Sequence, residues 1–377
     1  MTGPCATLER KWLRIFSALW RSVLGSARLY EIPPPVTLRF SYRLSESRAA
    51  SIRRTARDGG ARIEISTRLA AALDEEINGL QSTLSALLFR SAWRQRERGR
   101  EVLIAAEELA IGFILLHEIF HLVNGHFGWV ETNAEHLRFD EGRLGLHLDA
   151  GGSGAGRPVA TYSRISDAYV LESEADCSAI QWMVQETAPA GMRRLFGLGE
   201  TPIQLFPKRR RAEAFRLFLA TVWLVIRKLE AGREKSMRNN SKTHPLPVTR
   251  LFVAFGMLTQ QYCRISGLRF DAQGGGQYTL TERDVASMRE FLAEILRPVL
   301  TSDWNPGSPA IAAESLEGQM RFYLPDFGNH LLNRPVQTIA GRELLRMERA
   351  RFRMDRRLRP FRYYHPVELK KLDDSSQ

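Results

Sequence analysis

Three histidines and a glutamate fall within ten positions of an otherwise apolar stretch, HEIFHLVNGH, residues 117 to 126. On a helix, His117 and His121 lie one turn apart along the axis and about 40° apart around it, so both imidazoles can offer a nitrogen to one ion. Glu118 sits at the side of that pair. This HExxH arrangement is the signature of zinc hydrolases: two neutral imidazoles hold the cation and the carboxylate takes a proton from water. The plainer alternative, two histidines satisfied inside a core, leaves Glu118 as a buried charge without a partner, which is costly.

A catalytic zinc takes a third protein ligand. His126 is the nearest candidate. In the metzincin pattern, however, the third histidine follows the second by six positions with a glycine at the third, and here those positions are Phe127 and Asn124. The better candidates lie in ESEAD, residues 172 to 176. Glu172 and Asp176 are four apart and share a helix face, while Glu174 is expected to project roughly opposite. One carboxylate can bind the metal and the other can accept the N–H of a ligating histidine. Spacing alone does not say which does which.

Together these motifs resemble the gluzincin metallopeptidases that include the CAAX prenyl proteases, the heat-shock protease HtpX and the mitochondrial Oma-type proteases. The resemblance rests on three separated elements: His117, Glu118 and His121 with His126 five positions on; Glu172, Ala175 and Asp176; and THPLPVTR, with His244, Pro245 and Arg250. It covers about residues 60 to 265. It implies a zinc-dependent endopeptidase with one zinc ion held by His117, His121 and Glu172. Asp176 would support a zinc histidine, His126 would lie beside the site, and Glu118 would be the general base. His244 would serve as oxyanion donor near the reacting carbonyl, with Arg250 as its support or as an anchor. A protein or peptide substrate is implied, paired to an edge strand for which ARIEIS, residues 61 to 66, is the candidate. Phage-exclusion proteases of the Lit type, also HExxH proteins, are a neighbouring alternative. A regulatory protein with a non-catalytic zinc site and basic working surfaces is another.

The elements that must position these residues follow from periodicity. Near-continuous apolar residues from about Glu101 predict a buried central helix that stops at Asn124-Gly125. A second helix, from Ser166, carries ESEAD, and two more are expected near 212–232 and 247–266. Ahead of them, VTLRFSYRL and ARIEIS read as strands separated by a polar stretch, and a helix follows from Thr67. Residues 127 to 165, rich in Gly, Asp and Arg, read as a long loop. The expected fold class is therefore α+β and mainly helical, a zincin-like core with a small sheet and added terminal regions. The divisions are 1–59 (a basic amphipathic helix and a strand), 60–265 (the metallopeptidase domain) and 266–377 (an Arg-rich helical region).

Composition sets the surroundings. The 377 residues carry 54 Lys and Arg against 42 Asp and Glu, a net charge of +12, with arginine clusters at Lys208 to Arg211 and Arg346 to Arg362. These read as solvated helix faces, with an anionic surface or membrane-peripheral contact as the alternative. No nucleic-acid motif accompanies the charge, so nucleic acid is not expected as a partner. Three scattered cysteines argue against a disulfide framework and for a reducing, cytoplasmic setting. The apolar run FLATVWLVI is cut off by Arg216 and Arg227, which predicts a buried helix rather than a membrane span. The N-terminal helix, interrupted by Arg14 and Arg21, lacks a signal-peptide core and is expected to pack on the protein.

Overall fold

The computed structural model describes residues 4–42, 50–55, 60–132, 138–139, 148–149, 167–186, 188–231, 247–265, 272–273, 277–278, 286, 290–300, 302, 350–351 and 353–364. These form a mainly helical structure with one small three-stranded sheet. No helix among them is long and apolar enough to cross a membrane.

The organising element is α4, Ala92–Val123. Every residue from Ala105 to Val123 is buried, because helices pack around it on most sides: α1 (Pro4–Leu24), α3 (Gln81–Leu88), α6 (Asp167–Gln185), α7 (Ala190–Phe196) and α8 (Lys208–Ala231). The helix stops where the sequence says it should. Asn124 caps it and Gly125 turns the chain at φ 79°, a left-handed conformation that glycine adopts without a Cβ penalty.

Two buried acids on α4 show how its neighbours dock. Glu107 is ion-paired to Lys11 of α1. Glu108 accepts the Gly191 N–H at the start of α7 (2.6 Å) and lies 3.7 Å from Arg194. Gly191 permits this approach, since a Cβ there would come within 2.9 Å of the Ala105 Cα. The apolar face of α1 (Trp12, Phe16, Val23) is buried in the same core, so α1 packs on the protein as its interrupted apolar pattern predicts.

The sheet departs from expectation. Strand β1 (Val36–Ser41) runs parallel to β3 (Ala61–Ser66), and β2 (Ala50–Arg54) runs antiparallel to β3 on its other side. The order β1-β3-β2 places ARIEIS in the centre, with Ile63 opposite both Leu38 and Ile52. Both of its hydrogen-bonding edges are occupied, so it is not the edge strand to which an extended substrate adds. Among the described residues, the outer strands of this sheet are β1 and β2. Strand β2 replaces part of the expected polar stretch. Its sequence, ASIRR, has a single large apolar residue, Ile52, which is buried in the core beside Ser51 while Ala50 packs against it.

The region expected as a loop from residue 127 begins instead with a helix, α5 (His126–Thr132). It forms because its apolar side chains find two cores. Phe127 joins the main one, and Trp129 and Val130 join a smaller cluster with Val170, Leu171, Met354 and Leu358.

Candidate metal centre

Helices α4 and α6 pack side by side and bring HExxH against ESEAD. The Nε2 atoms of His117 and His121 lie 3.1 Å apart. The Glu172 carboxylate approaches both, Oε2 at 3.4 Å from His117 Nε2 and Oε1 at 3.6 Å from His121 Nε2. Ligands at about 2.0–2.1 Å in a tetrahedral site stand about 3.3 Å from one another, so these spacings match the donor triangle of a bound zinc. Among the described residues this is the group of His, Cys, Asp and Glu side chains that could hold a metal, and all three are buried.

Each of the two imidazole rings is oriented from behind. His117 Nδ1 lies 2.8 Å from Asp176 Oδ1, which directs the ring so that Nε2 faces the centre. Asp176 is in turn gripped by Arg250 of α9 (Pro247–Ile265), whose Nε and Nη2 donate to its two oxygens at 2.9 and 2.8 Å. On the other side, His121 Nδ1 lies 2.8 Å from His126 Nδ1, and His126 Nε2 lies 3.1 Å from Glu174 Oε2. A carboxylate only accepts, so His126 Nε2 carries the hydrogen. In the neutral ring its Nδ1 then accepts from His121 Nδ1–H, which leaves the His121 Nε2 lone pair facing the centre.

Electrostatics agree with this division. Burial and the Glu172 carboxylate act in opposite senses on His121, and burial, helped by His117, prevails: its pKa falls well below the ordinary value. Burial also acts to lower His117, but Asp176 and Glu172 outweigh it and raise its pKa to about 10. Burial would raise Asp176, yet Arg250 and His117 hold it down to about 2. Glu118 behaves differently from these paired groups. Burial raises its pKa to about 7, and its Oε2 has no hydrogen-bond partner among the described residues. A buried carboxylate with an unsatisfied oxygen and a raised pKa beside His117 is an arrangement that can exchange a proton.

Placement of the expected residues is therefore as follows. His117, His121 and Glu172 converge, Asp176 and His126 stand behind the two histidines, and Glu118 lies in the same buried group. Arg250 donates two hydrogen bonds to Asp176. His244 lies outside the described residues. Glu174 does not project away from the site: it is 8% exposed and holds His126, because α5 turns back over that face of α6. It is also ion-paired to Arg362, itself 3% exposed, from the arginine cluster expected to be a solvated face. No local pattern signals either role, since the partners lie 48 and 188 positions from Glu174. Lys208 and Arg209 of the other cluster do have exposed side chains (71% and 84%).

No protein-family model, no curated protein and no solved structure matches this chain.

Proposed function

We propose that this chain is a zinc-dependent endopeptidase of zincin-like architecture, with one zinc ion held by His117, His121 and Glu172. The observation that carries the reading is the convergence of those three donor groups with Glu118 beside them. Three protein ligands are what a catalytic zinc takes, whereas a structural site is closed by four.

Zinc at this site supplies Lewis acidity, which lowers the pKa of water and polarises a carbonyl. Glu118, with its pKa near neutrality, takes a proton from the attacking water and returns it to the leaving amine. Asp176 and His126 hold the two ligand rings in the orientation that presents Nε2. Arg250 keeps Asp176 ionised. His244 is the proposed donor to the developing oxyanion, a role the family resemblance suggests.

The test compares wild type with Glu118→Gln. The variant is expected to keep stoichiometric zinc and lose proteolysis by at least about 100-fold, the scale on which general-base loss acts. Undiminished cleavage by the zinc-loaded variant would falsify the enzymatic reading. Substrates are then those whose fragments disappear in the variant.

A further inference from the structure

The described residues from 353 to 364 lie against both helices that carry the metal ligands. The Tyr363 N–H donates to the Val123 carbonyl at the end of α4 (2.9 Å), and the Tyr30 N–H donates to the Tyr363 carbonyl (3.3 Å). Tyr364 packs on Phe120 of α4 and Trp182 of α6, with ring centroids at 5.8 and 5.9 Å, and Arg28 donates to its hydroxyl at 2.7 Å. Phe361 covers the turn between α4 and α5 so closely that a Cβ on Gly125 would meet its carbonyl oxygen at 2.3 Å. Met354 and Leu358 complete the small apolar core with Trp129, Val130, Val170 and Leu171. Within this clasp the Arg362 guanidinium is buried between Glu174 and Asp355.

A cation placed there has one evident consequence for the site. Glu174 is a buried carboxylate held between the Arg362 guanidinium and His126 Nε2, so it faces the imidazole as an acceptor. As an acceptor it fixes the hydrogen of His126 on Nε2. That leaves His126 Nδ1 to accept from His121 Nδ1–H, and His121 Nε2 keeps its lone pair for the metal. Asp176 does the same for His117 directly.

We propose that Arg362 is a positioning residue of the metal centre, acting through Glu174 and His126 on His121, so that metal affinity depends on the docked clasp as well as on the ligands. The inference rests on the metal-centre reading above. It adds that one of the two ligand histidines is set by a segment far down the chain, while the other is set within the α4–α6–α9 group. Without Arg362, the Glu174 carboxylate loses the guanidinium that holds it against His126, the hydrogen preference of His126 relaxes, and His121 samples the tautomer that cannot bind.

The experiment uses the full chain as wild type, Arg362→Met, Arg362→Lys and Glu174→Gln. Three quantities are measured: zinc affinity by chelator competition, the visible spectrum of the cobalt(II)-loaded protein, and imidazole nitrogen resonances of the metal-free protein. Circular dichroism of each metal-free variant checks that it folds. Arg362→Met and Glu174→Gln are expected to weaken zinc by about 10–100-fold, the range for loss of a group behind a ligand histidine. His121 should show a mixture of tautomers in both, and Arg362→Lys should restore much of the affinity and the Nδ1–H form. Wild-type affinity together with an unchanged His121 tautomer in Arg362→Met overturns the proposal. Should that variant not fold, the same two readings on Glu174→Gln decide it alone. A wild type whose zinc binding is absent, or is unaffected by His117→Ala, removes the metal-centre reading and this inference with it. Normal wild-type binding with unaffected variants removes the inference only.

Discussion

If His117 binds zinc as proposed, a proton and the metal compete for its Nε2. With its pKa raised to about 10 by Asp176 and Glu172 against the opposing effect of burial, His117 is charged at neutral pH in the metal-free protein, and a metal must displace that proton. Zinc binding at pH 7 is expected to release about one proton from His117 plus the fraction held by Glu118. Titration calorimetry in buffers of different ionisation enthalpy measures this directly. Affinity should climb about tenfold per pH unit between about 7 and 10, and more steeply below about 7, where Glu118 also holds a proton. The same groups set the metal-free protein's stability against pH. The His117 contribution is complete below 6.5 and is lost as pH rises through about 10, and that of Glu118, raised from 4.5, is lost as pH rises through about 7. Asp176 acts in the opposite sense: its contribution is complete above 3.8 and is lost as pH falls through about 2. His121, lowered from 6.5, contributes above 6.5 and loses that contribution as pH falls, which opposes Glu118 in between. Denaturant midpoints of the metal-free protein are therefore expected to decline above about pH 6.5 and to fall again in acid, and zinc should flatten the alkaline decline.

At the scale of elements, the site depends on how α4 ends. Gly125 combines a positive φ with the close passage of Phe361, so Gly125→Ala meets both a backbone cost of about 1–2 kcal/mol and a clash. Its denaturant midpoint should drop by more than that backbone cost alone, and its zinc affinity should fall with it because His126 follows directly. The two helices that carry ligands were legible in the sequence because their chemistry is local. HExxH and ESEAD each place their groups by a spacing of four, and a buried α4 follows from its unbroken apolar run. Strand order was not legible. Nothing within ARIEIS says that two neighbours will cover it, and β2 escapes notice because alternating one isoleucine with serine and arginine gives no apolar run. Glu174 escaped for a related reason. Helical geometry turns its side chain from that of Glu172, but only the turn into α5 shows that His126 waits on that side.

On the scale of the whole molecule, the arginine excess divides into two kinds. Lys208 and Arg209 have exposed side chains, whereas Arg362 and Arg250 are buried counter-ions of Glu174 and Asp176, and sequence composition cannot separate the two. The apolar face of α1 that carries Trp12, Phe16 and Val23 is used in the core, which leaves Leu13 and Leu24 as its exposed large apolar side chains, so contact with an anionic surface through this helix would lean on its basic residues and weaken as salt is raised.

The bond from the Tyr363 amide to the Val123 carbonyl joins two distant parts of the chain at the end of the ligand helix. Its hydrogen can exchange with solvent only when the clasp lifts. Tyr363 is therefore a timer for that opening. If the clasp and the metal stabilise each other, zinc should slow exchange at Tyr363, and at Tyr30 beside it, by the factor in which opening weakens zinc. Hydrogen–deuterium exchange resolved at these two amides, with and without zinc, reads that coupling; equal rates in both states would mean that the centre and the clasp open independently.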